Sequence, residues 1–326
     1  MRTKRILTLA SGVLLGFALA SPPLSAQPYP SKPVKIGAPF APGGLVDVLA
    51  RAVGDRLAKS LGQPVIVENR PGAGGNVGAD VVARAEADGY TLLMSSAGIL
   101  TINQFLYAQM PFDAASAFAP VTVVADMPML LVVRKDLSAR DVKEFIALAK
   151  ETPGGLFFGS PGNGTTGHLG MELFMYATGL KLQHVPYKSA AEAVQAALAG
   201  QTATMFDNPP TVMSQIKAGG LRALGVAAKE RMPQLPDVPT ISEAGVPGFE
   251  ASSWFGLVVP AKTPRPVFDL LAVEVAKVLK DPEMQSRFAQ SGARLVGNTP
   301  DQFAALIVED RARWEKVING AGIKLQ

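Results

Sequence analysis

Two glycine-rich turns in this chain are suited to binding an anion. One is Ala41-Pro42-Gly43-Gly44-Leu45 and the other is Gly162-Asn163-Gly164-Thr165-Thr166, and each follows a short apolar strand and precedes a helical pattern. A helix N-terminus leaves backbone N–H groups unpaired and carries partial positive charge, so such a turn binds a carboxylate without lysine or arginine. Because the two turns lie far apart in the chain, we predict two lobes that hold a small carboxylate in a cleft between them.

Each turn also has a purely structural interpretation. Glycine and proline are common in tight turns, so the first turn equally fits a simple strand-to-helix connection. In the second turn a helix cap would need one small polar side chain, and the excess of such residues favours ligand contact. Asp47 is interpreted as capping or lining the first helical turn. His168 either donates to the ligand or makes a structural hydrogen bond.

The sequence predicts neither a metal site nor a cofactor. The chain has no cysteine and two histidines, His168 and His184, without carboxylates at ligand spacing. The glycine cluster 72–78 follows a strand as a dinucleotide-binding turn would, but the next strand ends Met94-Ser95-Ser96 and lacks the acid that would bind a ribose. We therefore interpret the cluster as a turn or a site of close packing.

An exported serine hydrolase is the enzymatic alternative. Ser160 and His168 are close in sequence, and Asp207 could supply the orienting acid if folding brought it near them. The chain contains no Gly-x-Ser-x-Gly motif, which is the usual setting of a nucleophilic serine in α/β hydrolases. We therefore predict that the protein is not an enzyme.

Residues 1–26 have the pattern of a secretory signal. Three basic residues precede the apolar run 6–20, and Leu24-Ser25-Ala26 fits a cleavage site. A membrane anchor is the alternative, but the run is short for a span and stops before Pro22-Pro23. Without cysteine the exported protein has no disulfide and no lipid anchor, so we predict a cleaved signal and a periplasmic location.

The charge balance argues against nucleic acid as a partner. The chain holds 31 lysine and arginine residues against 27 aspartate and glutamate residues, a net charge of +4. Arg2, Lys4 and Arg5 lie in the predicted signal, which contains no acid, so the mature chain carries +1. No basic run with interleaved aromatic residues follows.

Beyond residue 26 strand and helix patterns alternate, which predicts an α/β fold with mainly parallel sheets. About 300 residues exceed what one ordinary core holds, so we expect two lobes. Crossings between the lobes are predicted near residues 126–128 and 249–254. One lobe then comprises residues 27–126 and 250–326, and residues 127–249 form the other. Two crossings form a hinge that can close over a ligand.

Ordered motifs along nearly the whole mature chain resemble the substrate-binding receptors of tripartite tricarboxylate transporters, the Bug family. These motifs are Tyr29-Pro30-Ser31-Lys32-Pro33, Pro39-Phe40-Ala41-Pro42-Gly43-Gly44 with Asp47, Val67-Glu68-Asn69-Arg70-Pro71-Gly72-Ala73-Gly74-Gly75-Asn76, Asp88-Gly89-Tyr90-Thr91-Leu92-Leu93, Gly162-Asn163-Gly164-Thr165-Thr166-Gly167-His168-Leu169, His184-Val185-Pro186-Tyr187-Lys188, Met205-Phe206-Asp207-Asn208, Leu235-Pro236-Asp237-Val238-Pro239-Thr240 and Ser253-Trp254-Phe255-Gly256.

The resemblance implies a type II periplasmic-binding fold, with two α/β lobes around central, mainly parallel sheets and the ligand between them. It also implies that residues 41–45 and 162–166 hold a carboxylate, partly through ordered water, that residues 96–98 line the cleft, and that Asp207 contacts the far end of the ligand. The complete predicted ligand-binding set is Ala41, Gly43, Gly44, Leu45, Ser96, Ala97, Gly162, Asn163, Gly164, Thr165, Thr166, His168 and Asp207.

We therefore predict a monomeric periplasmic receptor that captures a small organic acid and delivers it to the membrane permease subunits of a tripartite tricarboxylate transporter. A receptor that presents its ligand to a membrane kinase is the main alternative. Two positions depart from the family pattern. Ser189 replaces a common glycine near the cleft, where it could alter ligand choice, and Thr202-Ala203-Thr204 replaces a common Val-Asp pair, with an effect on packing or the surface.

Overall fold

The computed structural model of the chain describes residues 29–187, 189–321 and 323. The predicted signal, residues 1–26, lies outside the described residues. Within the described ranges, none of the helices combines the length and the apolar composition needed to cross a membrane.

Six strands form the first of two sheets in the described part of the chain. They are β1 Val34–Ala38, β2 Val65–Asn69, β3 Thr91–Ser96, β4 Phe118–Pro128, β10 Ser252–Pro260 and β11 Arg294–Leu295. Across the sheet their order is β11-β4-β10-β3-β1-β2. β1 pairs in parallel with β2 and β3, whereas β10 runs antiparallel between β3 and β4. The parallel part was predicted; the central antiparallel strand was not.

Five strands form the second sheet within the same described ranges. They are β5 Leu130–Arg134, β6 Phe157–Ser160, β7 Gln183–Pro186, β8 Thr204–Asp207 and β9 Leu221–Val226. Their order is β7-β6-β8-β5-β9, with β6 parallel to both β7 and β8 and with β5 antiparallel to both β8 and β9. The sheet is therefore parallel apart from β5.

Helices cover both faces of each sheet. The first sheet packs against α1 Leu45–Leu61, α8 Arg265–Leu279 and α9 Pro282–Gln290 on one face, and against α2 Asn76–Ala83, α3 Asn103–Leu106 and α10 Pro300–Ala321 on the other. The second sheet packs against α4 Val142–Glu151 and α5 Thr166–Thr178 on one face, and against α6 Ala190–Leu198 and α7 Pro209–Lys217 on the other. Each lobe thus has the three-layer α/β arrangement that alternating strands and helices produce.

Backbone hydrogen bonds join the segments that cross between the sheets. Met129, which links β4 to β5, donates its N–H to the Ala251 carbonyl at 3.1 Å and accepts from the Ala227 N–H at 2.8 Å. Ala251 in turn donates to the Ala227 carbonyl at 3.0 Å, just before β10 begins. All three residues are buried. These bonds join the crossing segments in one place, the hydrogen-bonded waist formed by Met129, Ala227 and Ala251.

Candidate ligand-binding site

The predicted site residues follow the carboxyl ends of four strands. In the first lobe these strands are β1 and β3, which are neighbours in the sheet, and in the second lobe they are β6 and β8, which are also neighbours. In open α/β sheets, ligands bind outside the carboxyl ends of the strands. The topology therefore gathers the predicted residues at one edge of each lobe.

Asp47 braces the first turn from the inside. Its side chain is 5% exposed, and the carboxylate accepts from the Gly43 N–H at 2.9 Å, from the Asn69 side-chain amide at 2.9 Å and from the Arg51 guanidinium at 2.8 Å. The Arg51 hydrogen bond, followed by those of Gly43 and Asn69, lowers the pKa of Asp47 from 3.8 to about 2. Asp47 therefore shapes the turn, and the Gly43 N–H already donates to a side chain of the protein.

Asp47→Asn is expected to lower the free energy of unfolding by about 2 kcal/mol at pH 7. Because the folded pKa is depressed, the stabilisation is complete above the unfolded value near 3.8 and is lost as pH falls through about 2. Urea unfolding at pH 7 and at steps from pH 4 downwards measures this difference, which should shrink with acidity. Asp55→Asn, at an exposed position of the same helix, should change stability by less than about 0.5 kcal/mol. Equal effects of the two substitutions on stability would show that the hydrogen bonds of Asp47 do not stabilise the turn.

The N-terminus of α1 has no capping side chain. Gly44 occupies the N-cap with φ −73° and ψ 165°, and no side-chain hydrogen bond caps the helix. The first helical bond runs from the Val48 N–H to the Gly44 carbonyl at 3.0 Å, so the N–H groups of Leu45 and Val46 precede the helical ladder. Ala41, Gly43 and Gly44 are exposed and Leu45 is half-buried. A helix start of this kind is able to bind an anion through such N–H groups.

The second turn carries its own cap. Thr165 is the N-cap of α5, and its hydroxyl accepts from the His168 N–H at 3.4 Å and donates to the Gly162 carbonyl at 2.8 Å. The first helical bond joins the Leu169 N–H to the Thr165 carbonyl at 2.9 Å. The N–H groups of Thr166 and Gly167 therefore precede the helical ladder, as those of Leu45 and Val46 do in α1.

The side chains around the second turn are arranged in two layers. Asn163 is exposed, and Gly162, Gly164, Thr165 and Thr166 are half-buried. His168 lies beneath them with a side chain 5% exposed: its Nδ1 accepts from the Gly164 N–H at 3.1 Å, and its Nε2 faces Glu172 Oε1 at 3.5 Å. Both imidazole nitrogens are thus engaged within the protein, which favours the structural alternative for His168 over donation to a ligand.

A serine and a threonine connect the two edges directly. Ser253, near the start of β10, donates from its hydroxyl to Thr166 Oγ1 at 3.0 Å. Leu169, one turn further along α5, is fully buried in the core cluster of the first lobe, with Ile99 and Trp254. The N-terminal end of α5 therefore lies against the first lobe, although the preceding strand, β6, belongs to the second sheet.

The turn after β3 contributes mainly backbone. Ser96 is half-buried, but Ala97 is only 2% exposed, and its carbonyl accepts from the Thr101 hydroxyl at 2.8 Å. The same hydroxyl lies 3.1 Å from Asp310 Oδ2, which also accepts from the Trp254 indole at 3.0 Å. This buried network fixes residues 96–101 to β10 and α10 next to the lobe boundary.

Asp207 is a buried carboxyl at the end of β8. It is 3% exposed; its Oδ1 accepts from the Asn208 N–H at 2.7 Å, and its Oδ2 has no hydrogen-bond partner among the described residues. Burial raises the pKa of Asp207 from 3.8 to about 6 against the smaller opposing effects of the Asn208 and Thr211 hydrogen bonds. A group that donates to Oδ2 would relieve this cost.

The serine of the hydrolase alternative has a different histidine partner from the predicted one. Ser160 Oγ lies 2.6 Å from His184 Nε2 and is not paired with His168. The same oxygen lies 3.1 Å from both the N–H and the carbonyl of Gly162, and Ser160 has no exposed surface. The hydroxyl is therefore held inside the protein.

Two other sequence features have structural explanations. The glycine cluster 72–78 forms a tight turn over residues 72–75 followed by the first turn of α2, where a Cβ on Gly78 would lie 2.6 Å from the Arg70 carbonyl oxygen, which confirms close packing. Ser189 is the N-cap of α6, and its hydroxyl accepts from the Glu192 N–H at 3.2 Å.

No group of three or more histidine or acidic side chains is placed to hold a metal in the described ranges.

Sequence reasoning missed Ser253, Gly167 and His184 as members of the site and its support. Ser253 and His184 stood inside motifs of the family resemblance, but nothing in their spacing linked either to the second turn. Gly167 packs so tightly that an added Cβ would lie 2.8 Å from the Phe206 carbonyl oxygen. Only the folded arrangement brings these residues together.

Solved structures share this two-lobed architecture. The structure titled R. palustris Rpa4515 with adipate superimposes with a TM-score of 0.81 at 38% identity and covers 91% of this chain and 100% of that chain. MatC from Rhodopseudomonas palustris with bound malate gives a TM-score of 0.77 at 33% identity, covering 89% and 100%. These likenesses confirm the predicted fold and define the class as two-lobed solute-binding receptors.

The family follows from the sequence match. The model described as tripartite tricarboxylate transporter family receptor matches residues 49–323, so the chain belongs to that family. BugT of Bordetella pertussis is 37% identical over 327 residues that span 100% of both chains. The predicted resemblance to Bug receptors is thereby confirmed.

Proposed function

We propose that this protein is an exported periplasmic receptor that captures a small organic carboxylate between its lobes and delivers it to the permease subunits of a tripartite tricarboxylate transporter. The observation that carries the proposal is the pair of helix starts, at α1 and α5, whose leading N–H groups lie at the carboxyl edges of two lobes in contact through Ser253 and Thr166. Helix N-termini bind carboxylates through N–H donors and the helix dipole.

In the proposed mechanism, the ligand first places one carboxylate at one of the two helix starts. At the start of α1 this carboxylate binds the N–H groups of Leu45 and Val46. At the start of α5 it binds those of Thr166 and Gly167. Hydrogen bonds to a charged acceptor are about twice as strong as neutral ones, so no salt bridge is required. Contacts with both lobes favour the closed state, because a ligand stabilises the conformation to which it binds better.

The proposed hinge is the hydrogen-bonded waist at Met129, Ala227 and Ala251. Residues 27–126 with 250–326 would move as one body, and residues 127–249 as the other. Buried backbone bonds at the waist would keep the two bodies joined as they rotate, and the start of α5, bonded to Ser253 two residues after Ala251, lies next to this hinge. Such an arrangement converts small dihedral changes into cleft closure.

The proposed ligand class is a short dicarboxylate or hydroxy acid. Two structures in the family hold adipate and malate, respectively. In this chain the unpartnered Oδ2 of Asp207 suits a ligand whose far end shares a proton with it or donates from a hydroxyl. A second fully ionised group beside an ionised Asp207 would be repelled.

A thermal-shift screen tests the proposal. Mature protein with adipate, malate and other short acids should show a higher melting temperature for at least one acid, because a ligand at 100 times its Kd adds about 2.7 kcal/mol of stability, or roughly 4 °C. The dimethyl ester and diamide of the same acid, which lack the charge, serve as matched controls and should give no shift. No shift with any carboxylate, or equal shifts with the esters, would contradict carboxylate binding through N–H groups.

A further inference from the structure

The two histidines of the chain form a stack that the proposed ligand contacts do not use. The ring centroids of His168 and His184 lie 3.9 Å apart with an interplanar angle of 12°. Phe158 packs beside both rings, with its ring centroid 4.8 Å from that of His184 and 6.2 Å from that of His168. His168 is on α5 and His184 is on β7, so the stack joins two elements beneath the second turn.

One end of the stack bonds the backbone of the second turn. His168 Nδ1 accepts from the Gly164 N–H at 3.1 Å, and a nitrogen that accepts carries no hydrogen. The neutral imidazole then has its hydrogen on Nε2, which faces Glu172 Oε1 at 3.5 Å. Gly164 has a φ of +75°, in the left-handed region. The hydrogen bond therefore holds the turn at the point where its backbone is unusual.

The other end of the stack bonds the start of the same turn. His184 Nε2 lies 2.6 Å from Ser160 Oγ, and that oxygen is 3.1 Å from the N–H and from the carbonyl of Gly162. The residues Ser160, Gly162 and Gly164 are thus connected through the two imidazoles. The two histidines therefore hold the turn by hydrogen bonds at both of its ends. These hydrogen bonds are present without a ligand.

We propose that His168 is a positioning residue, which acts with His184 to hold the turn of residues 161–165 in its anion-binding shape before any ligand arrives. This inference rests on the proposed function, since it assigns a support to that site. The N–H groups of Thr166 and Gly167 keep their direction because the preceding turn is fixed. A turn that is ordered in advance spares the ligand the cost of ordering it.

A pair of substitutions at one position tests the role of Nδ1. Asparagine places its amide oxygen close to the position of imidazole Nδ1, whereas glutamine places its terminal atoms close to that of Nε2. In calorimetry with adipate and malate, His168→Asn should bind within about fivefold of wild type. His168→Gln should lose at least about tenfold. If asparagine retains binding and glutamine does not, His168 acts by accepting the hydrogen bond from the Gly164 N–H and not only by filling space.

A ligand-free measurement separates this inference from the proposed function. Amide hydrogen exchange of Gly164, followed by NMR, should be slow in wild type and His168→Asn and fast in His168→Gln. Long-range ¹H–¹⁵N spectra of the wild type should show His168 Nδ1 without a proton, which decides the matter even if a variant does not fold. If no acid binds but these results hold, the proposed function fails and the positioning role stands.

Three outcomes would overturn the inference. His168→Gln could bind as tightly as wild type, or both substitutions could weaken binding equally, which would assign His168 to packing alone. A proton on His168 Nδ1 in the ligand-free wild type would mean that this nitrogen cannot accept the hydrogen bond from the Gly164 N–H.

Discussion

Gly44→Asp is expected to weaken carboxylate binding by at least about 100-fold while leaving the protein as stable as wild type or more stable. Gly44 is the N-cap of α1 with φ −73°, and the atom nearest to an added Cβ is the Ala41 carbonyl oxygen at 3.4 Å. An L residue therefore fits there. An aspartate N-cap stabilises a helix by a few tenths of a kcal/mol relative to glycine, because its carboxylate accepts from the first-turn N–H groups.

The introduced carboxylate would occupy the donors that the ligand needs. Two carboxylates about 4 Å apart near a protein surface also repel each other by roughly 4 kcal/mol, which is the larger effect. Calorimetry with adipate and malate measures the loss, and thermal unfolding measures stability. The binding loss should become smaller at high salt, since the repulsion is screened.

Gly44→Asn and Gly44→Ala are the matched controls. Asparagine has the size of aspartate and also caps helices but carries no charge, so it should weaken binding by about tenfold or less. Alanine neither caps nor repels and should retain binding within a few-fold. If Gly44→Asp bound the acid as tightly as Gly44→Asn, the N-terminus of α1 would not be the anion site.

Asp207→Asn is expected to stabilise the ligand-free protein by about 3 kcal/mol above pH 7, the equivalent of moving the pKa from 3.8 to about 6. Burial favours the neutral acid, so the folded pKa lies above the unfolded one. The stability that the protonated carboxyl provides is complete below about pH 4 and is lost as pH rises through about 6. Asparagine stays neutral at every pH and avoids this loss.

Urea unfolding at pH 4 and pH 8 measures the effect. The variant and the wild type should be nearly equal at pH 4 and should separate at pH 8. Asp136→Asn, at a side chain 64% exposed and 3.5 Å from Arg134, is the control and should change stability by less than about 1 kcal/mol at both values. A variant less stable than wild type at pH 8 would mean that the Asp207 carboxylate is well paired in the folded protein.

Local sequence signals are sufficient to predict two of the elements that border the site, α1 and β8. The apolar residues after Gly44 recur at helical spacing and Gly62 is a typical C-terminal cap, so the sequence predicts a helix between them. The structure places α1 at Leu45–Leu61, with Gly62 at a φ of 67°. The sequence likewise predicts a strand over Thr204–Asp207, and β8 has these bounds. These elements carry their own spacing, caps and turn residues, so their local sequence suffices.

The elements that sequence reasoning missed depend on distant contacts or on signals that resembled a loop. β10 contains Gly256 and two register shifts, and its place between β3 and β4 is set by pairing with residues far away in sequence. α9 begins with Asp281 as N-cap and Pro282 next, a helix-start signature that was overlooked. The pairing of His184 with Ser160 likewise follows from β6 and β7 lying side by side.

The central claim is that backbone N–H groups at the starts of α1 and α5 bind the acid. The most direct measurement is an amide NMR titration of ¹⁵N-labelled mature protein with adipate or malate. We predict that the largest downfield shifts occur at Leu45, Val46, Thr166 and Gly167. Shifts confined to the groove of about 610 Å³ lined by Asp126, Trp254 and Arg294, with those four amides unchanged, would contradict the claim.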